Sequence, residues 1–315
     1  PAGPHPVEGS CVKRFRRILF VNHPLNVPEA LDRALRLAHN NSARLDIINV
    51  YEDLPDSLNK LISALKKQQH DQVLRLVAES RQRGPSVRHV QRSGTPFIEI
   101  IKEVLVHGYD LVIKPARGHS RLSAMLFGST DLHLLRKCPC PVWIIKRSTD
   151  DRFGRILAAV DPDPSEPEND ELNRMILELA NSLAQQEQSE LHIVHAWRMP
   201  YEAQLRGGRR YLPETELDRL VAETRQVHEK RLQDLLEQHD VSAIRSKQHL
   251  IKGDPGEVIP SLAREAQAQL IVMGTVARTG VPGFFIGNTA EKTLAAVDCS
   301  VLAVKPKSFE TPVRA

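Results

Sequence analysis

Cysteine is scarce in this chain. Four residues, Cys11, Cys138, Cys140 and Cys299, are too few and too irregular for a disulfide framework, and they point to the reduced thiols of a cytoplasmic protein. Aromatic residues make up only 4% of the sequence, and the two tryptophans, Trp143 and Trp197, sit singly beside strands. They read as core or interface residues rather than stacking platforms. No apolar run is long enough to cross a bilayer, which excludes a helical membrane span. The first ten residues, PAGPHPVEGS, have no apolar stretch either, so they read as a disordered extension and not as a signal peptide. An excess of one charge sign is also missing. There are 43 basic and 39 acidic residues, a formal charge of +4, and the charges are interspersed. A solvated mixed surface is the better reading of that balance, and nucleic acid is not indicated as a partner. A Walker A loop is absent as well.

What the chain does have is a repeat. Residues Gly94 to Lys146 align with Gly253 to Lys305 at a constant offset of 159, without a gap. Gly128 falls on Gly287, Cys140 on Cys299, Val142 on Val301 and Lys146 on Lys305. Two similar units in 315 residues mean two domains of one fold, so that each site can be read twice. The expected division is an extension over 1–13, domains over 14–148 and 153–307, and a tail over 308–315.

Both halves alternate short apolar runs with longer amphipathic ones. Strands are expected at Ile18–Val21, Leu45–Val50, Val87–Gln91, Leu111–Lys114 and Val142–Lys146. In the second half they are expected at Ile156–Val160, Leu191–Ala196, Gln248–Ile251, Leu270–Met273 and Val301–Lys305. Near-continuous apolar strands separated by helices predict an α/β fold with tandem doubly wound parallel sheets, flavodoxin- or Rossmann-like. Leu217, Leu220, Val221, Thr224 and Val227 mark an amphipathic helix. Asp254-Pro255-Gly256-Glu257 reads as a capping box with proline at the first helical position, and Thr95-Pro96 plays the same part in the first half. The second half also gains an acidic loop, Asp161 to Asp170, and a Gly207-Gly208 loop flanked by Arg206, Arg209 and Arg210. Ligands of such folds bind outside the carboxyl ends of the strands, beside the first strand, where the winding reverses.

Those ends carry the chemistry. The fourth strand of the second half runs into Gly274-Thr275-Val276-Ala277, then nine residues, then Gly287-Asn288-Thr289. The first half gives Pro115-Ala116-Arg117-Gly118, nine residues, then Gly128-Ser129-Thr130. Glycine before a helix, followed by a small polar residue, offers free backbone N–H groups to a phosphate. The spacing resembles the G-x2-G-x9-G-[S/T] loop of the universal stress protein family, whose ATP-binding members hold phosphates and ribose there. Ala159-Val160-Asp161-Pro162 resembles the family's first strand, with its aspartate near the nucleotide. His195-Ala196 falls where the family's adenine-contacting backbone lies. Two copies resemble the tandem members. The segments Asp131 to Trp143 and Gly274 to Lys292 look most like the bacterial E type. The resemblance covers about residues 14 to 306.

The resemblance implies an adenine nucleotide, with magnesium, in the second half. Its expected contacts are Val160, Asp161, Ala196, Met273, Gly274, Ala277, Arg278, Gly287, Asn288 and Thr289. Ala277 replaces the family's middle glycine and Asn288 its Ser/Thr, and Asn still caps a helix. The first half keeps a degenerate version: His23, preceded by Asn22, stands at the aspartate position, with Val50, Gly118, Gly128, Ser129 and Thr130 around it. There Pro115 replaces the first glycine and removes an N–H. Family members often dimerise through their fifth strands, which implies an internal pseudo-dimer here, with a homodimer of chains as a further option.

Other signals are weaker. Gly118-His119-Ser120-Arg121-Leu122 lacks the closing glycine of a nucleophile elbow. Cys138-Pro139-Cys140 with His133 upstream lacks a second ligand pair, so no metal is expected, and Cys140 and Cys299 read as matched buried thiols. Lys114, Arg117, His119 and Arg121 read either as an anion site or as a solvated basic loop. Three functions stay open. The first is a cytoplasmic stress-response protein that binds a nucleotide and acts through partners, linked by resemblance to starvation, oxidants and DNA damage. The second is a slow ATPase, for which no general base is evident and no catalytic residue is assigned. The third is a scaffold, or a carrier of another metabolite or a lipid.

Overall fold

In this computed structural model the described residues are 14–22, 28–52, 59–81, 86–116, 127–146, 152–163, 167–207, 212–239, 244–275 and 286–314. His23, Arg117, Gly118, His119, Ser120, Arg121, Leu122, Gly208, Arg209, Arg210, Ala277 and Arg278 lie outside them. The first half runs β1 (Arg17–Val21), α1 (Pro28–Asn41), β2 (Arg44–Tyr51), α2 (Asn59–Arg81), β3 (Val87–Ser93), α3 (Pro96–His107), β4 (Leu111–Pro115), α4 (Ser129–Lys137) and β5 (Val142–Ile145). The second runs β6 (Arg155–Ala159), α5 (Pro167–Glu187), β7 (Glu190–Trp197), α6 (Glu202–Arg206), α7 (Glu214–Glu237), β8 (Ser246–Lys252), α8 (Pro255–Glu265), β9 (Leu270–Gly274), α9 (Asn288–Ala296) and β10 (Ser300–Val304).

Ten strands form one sheet in the order β3-β2-β1-β4-β5-β10-β9-β6-β7-β8. Each half is therefore wound 3-2-1-4-5, the Rossmann-type half of the two expected orders, and the winding reverses between β1 and β4 and between β6 and β9. Alternate strand residues feed opposite faces. Ile18 and Phe20 join the core under α1, α2, α5 and α7, while Leu19 and Val21 join that under α3, α4, α8 and α9. Pairing is parallel throughout each half, which buries both sheet faces and explains the continuous apolar runs.

The two halves meet at β5 and β10, the one antiparallel pair among the described strands. Trp143 lies opposite Leu302, its own counterpart at the 159 offset, and Val142 and Ile144 lie opposite Ala303 and Val301. An isologous contact has this register, so a local pseudo-twofold axis passes through the Trp143–Leu302 pair. Trp143 is 1% exposed and packs on Phe153, with ring centroids 5.8 Å apart. On one face Arg33 of α1 pairs with Glu187 of α5 at 2.8 Å, its guanidinium 3.7 Å above the Phe153 ring. On the other, Thr275 donates to the Leu135 carbonyl at 3.2 Å and Arg136 pairs with Glu291 at 3.0 Å.

Several local expectations shift. Asp254 caps α8 by accepting from the Gly256 N–H at 3.0 Å, with Pro255 at the first helical position, whereas Thr95 makes no side-chain cap to α3. The acidic loop is shorter than expected, because Pro167–Asp170 already form the first turn of α5. On α7, Val227 is exposed and His228 takes the inward place, ring-stacked on Trp197. The stripe slips because the helix is anchored farther along by Leu232, Leu235 and Leu236. In the tail, Val313 packs against the second core and the Lys305 ammonium lies 5.1 Å from the Phe309 ring.

Candidate functional site

At the carboxyl ends of β6 and β9 the sheet opens into a crevice of about 520 Å3. Val160 and Asp161 enter it from the end of β6, Ala196 and Arg198 from β7, and Met273 and Gly274 from β9. Gly287, Asn288, Thr289 and Ala290 form its far wall at the start of α9. All eight of the expected second-half contacts that the structure describes line this one crevice. Sequence reasoning missed Asn169, Leu172, Asn173 and Ile176 of α5, together with Arg198, Pro255, Ile259 and Ile286. The signal for the α5 residues is an i, i+4 pair of asparagines, which by itself says nothing of a ligand.

Close backbone approach is built in at two glycines. Gly287 is the N-cap of α9 and has φ +71, in the left-handed region that glycine adopts without strain. Asn288 is therefore the first helical residue and not the cap, which corrects its expected role. The N–H groups of a helix's first turn have no intrahelical partner, and those of Asn288, Thr289 and Ala290 belong to residues that line the crevice. At Gly274 a Cβ would come 2.6 Å from the Leu172 side chain, so any larger residue there would crowd the floor of the crevice.

The rim is fixed by Asn173. Its amide accepts from the Asp161 N–H and donates to the Asp161 carbonyl, both at 2.9 Å, and the Asp161 carboxylate, 44% exposed, lies 4.0 Å from His195 Nδ1. The Asn169 amide nitrogen is buried in the wall with no hydrogen-bond partner among the described residues. Arg198 pairs with Asp254 at 3.0 Å at the mouth, and Lys292 reaches the same carboxylate at 3.3 Å. The imidazole of His195 faces the opposite side of β7, with Nδ1 3.3 Å from the Val160 carbonyl and Nε2 2.8 Å from His228. Burial, reinforced by His228, pushes its pKa down to about 4, so the ring is neutral and backs the wall.

The first half answers differently at the matched positions. Lys114 stands where Met273 does, and Asp131 where Ala290 does. Lys114 is 3% exposed, Asp131 is fully buried, and they pair at 2.5 Å. Lys114 also donates to the Pro115 carbonyl at 3.1 Å, and Asp131 accepts from the Gly128 N–H at 2.9 Å. The N-cap N–H of the first half is thus taken by an internal carboxylate, at the position where the second half has Ala290. Lys114 belongs to neither expected alternative, free anion site or solvated loop, because its anion is Asp131. Ser129 is exposed, Thr130 partly buried, and Val50 packs against the second core. Asn22, beside the undescribed His23, bonds Asn49 at 3.3 Å.

His133 stacks on Phe97 with centroids 4.2 Å apart instead of joining the thiols, and no cluster of three metal-ligating side chains occurs among the described residues. Cys140 is buried while Cys299 is only partly so, with burial pushing the latter thiol up to about 12. No helix among the described residues is long and apolar enough to cross a membrane.

The sequence model of the Universal stress protein family matches residues 14–146 and again 152–305. Universal stress protein E of Escherichia coli K12 is 38% identical over 220 residues, covering 69% of this chain and 67% of that protein. The universal stress protein E homolog of Haemophilus influenzae is 30% identical over 311 residues, covering 93% and 98%. Among solved structures, a functionally unknown protein from Pseudomonas aeruginosa PAO1 superposes with TM-score 0.72 at 28% identity, covering 94% of each chain.

Proposed function

The chain belongs to the universal stress protein family as a tandem two-domain member, and from that premise we propose that it is a binding protein that holds one adenine nucleotide in its C-terminal crevice. The two domains are taken as 14–148 and 153–307, in a cytoplasmic stress-response protein that acts through partners. The observation that carries the reading is the convergence of Val160, Asp161, Ala196, Met273, Gly274, Gly287, Asn288 and Thr289 on a single crevice of about 520 Å3. That volume suits a nucleotide, since ligand pockets usually measure roughly 300–1,000 Å3. The first turn of α9 would take the phosphates with its N–H groups and positive dipole end. Ala196, Val194 and Ile176 offer apolar surface to the base. The orphaned Asn169 donor would be satisfied by a ligand oxygen, because a buried amide without a partner costs about 1–3 kcal/mol.

Asp161 and the bound phosphates would hold magnesium, a hard cation that prefers carboxylate and phosphate oxygens. The ATPase reading gains no general base from the rim, since His195 is 2% exposed and is held by Val160, His228 and, at 4.0 Å, Asp161. Denaturing undialysed protein and identifying the released small molecule by mass spectrometry tests the assignment. About one ATP, ADP or AMP per chain is expected. An unrelated metabolite at that stoichiometry would overturn it. Steady multi-turnover release of ADP, lost in Asp161→Ala, would replace binding by hydrolysis.

A further inference from the structure

Away from the crevice, the bend leading into β5 holds two thiols in contact. Cys138 Sγ and Cys140 Sγ are 3.6 Å apart, and the residues are 0% and 8% exposed. Beside them lies Lys305, which follows β10. It is 2% exposed, and its ammonium has no hydrogen-bond partner among the described residues. Burial pulls its pKa down to about 8, the two thiols act against that shift, and the Phe309 ring lies 5.1 Å from the ammonium.

The repeat supplies an internal control. Lys146 is the counterpart of Lys305, and its ammonium is satisfied by the Val297 carbonyl at 2.8 Å. Val297 stands where the first half has Cys138, so Cys299 has no neighbouring thiol at the matched place. One ammonium thus has a carbonyl acceptor and the Asp298 charge acting on it, while the other is buried against a thiol pair. A buried ammonium without an acceptor is costly and calls for an anion. We propose that Cys138 and Cys140 form a peroxide-reactive dithiol, in which Lys305 holds Cys138 as the thiolate and a small hydroperoxide oxidises the pair to an intramolecular disulfide. Burial alone would push the Cys138 thiol up, but the hydrogen bond with Cys140 and the Lys305 charge bring it below its ordinary value. Cys140 moves well above, chiefly through the same hydrogen bond and then through burial.

The chemistry balances within the pair and the oxidant. The Cys138 thiolate attacks the terminal peroxide oxygen; an S–O bond forms, the O–O bond breaks, and the departing alkoxide takes a proton from solvent. The Cys140 sulfur then displaces hydroxide from the sulfenic acid. The S–S bond forms, and the Cys140 proton leaves in the water produced. Two thiols and one hydroperoxide give a disulfide, an alcohol and water, the sulfurs losing the two electrons that the peroxide oxygens gain. With Cys138 at 0% and Cys140 at 8% exposure, the proposal calls for the smallest hydroperoxide, hydrogen peroxide. The site is independent of nucleotide binding and survives the failure of that reading.

The test treats the full-length protein with hydrogen peroxide under native conditions, stops the reaction in denaturant with iodoacetamide, and maps tryptic peptides by mass spectrometry. The peptide holding Cys138 and Cys140 is expected to lose two hydrogens and to resist alkylation until reduced, while Cys299 in the same digest remains an alkylatable thiol. Lys305→Met keeps the side-chain length and removes the charge. It should slow disulfide formation about threefold or more, because a tenfold loss of thiolate is partly offset by the higher nucleophilicity of a more basic thiol. A Cys138–Cys140 peptide oxidised no faster than Cys299 overturns the proposal, whether or not the variant folds. So does a folded Lys305→Met protein that oxidises at the wild-type rate.

Discussion

The two strand-end sites are built from the same strands and glycines, yet one carries apolar side chains at two matched positions where the other carries a buried ion pair. Met273 and Ala290 leave the C-terminal crevice free at the helix start. Lys114 and Asp131 occupy the same places in the N-terminal half, with Asp131 taking the Gly128 N–H that a phosphate would seek. A carboxylate three residues into the helix serves there as a built-in anion. The comparison teaches that a glycine loop can be kept for packing while its ligand is replaced by a side chain.

The largest expected effect comes from breaking that internal pair. Asp131→Ala strands the buried Lys114 ammonium and should cost about 3–5 kcal/mol of stability, read as a lowered denaturation midpoint. Lys114→Met together with Asp131→Ala copies the second half and should recover most of the loss, since replacing both partners of a buried pair is often neutral. Additive losses in that double-mutant cycle would contradict the pairing. Next in size, Gly287→Val forces a branched side chain into φ +71 at the crevice wall and should weaken nucleotide about a hundredfold, near 2.7 kcal/mol. Gly128→Val is the matched control and should leave nucleotide affinity unchanged, because the account gives that half no nucleotide. Asn173→Ala removes both bonds that hold the Asp161 backbone. A loss of about 1–2 kcal/mol in stability and a several-fold loss in affinity are expected, measured by thermal unfolding and titration.

Reading the halves against each other also shows what the sequence displays and what it hides. Strand ends and glycines were legible because each is local: an apolar run stops, a small residue follows, and the spacing repeats at the 159 offset. The same offset already sets Lys114 against Met273 and Asp131 against Ala290, a swap of charge for apolar side chains that marks the internal ion pair. That swap becomes interpretable only when β4 and the start of α4 are seen to bring residues 17 positions apart within 2.5 Å. Asn169, Asn173 and Arg198 were illegible for another reason. They lie on α5 and after β7, where the two copies differ in length and the register of the repeat is lost. The slip on α7 is tertiary in origin, since Leu232, Leu235 and Leu236 set the buried face and turn Val227 outward.

The smallest predicted effect is a pH dependence shared by the halves. His195 is held at about 4 by burial and then by His228, and His89 at about 4 by burial and then by His70. Both folded values lie below the ordinary 6.5, so the unfolded chain binds protons first. Stability is therefore level above about pH 6.5 and declines as the pH falls toward about 4. His195→Gln and His89→Gln should each flatten part of that decline in denaturant melts. Only His195→Gln should also lower nucleotide affinity, because that ring alone backs Val160 in the C-terminal wall. An equal effect of the two variants on affinity would contradict the asymmetry.

The most direct test is calorimetric titration of the ligand-free chain with ATP and magnesium, run in parallel on Gly287→Val and Gly128→Val. The account predicts one nucleotide per chain, lost with the first variant and retained with the second. Two nucleotides per chain, or binding that disappears with Gly128→Val and persists with Gly287→Val, would contradict it.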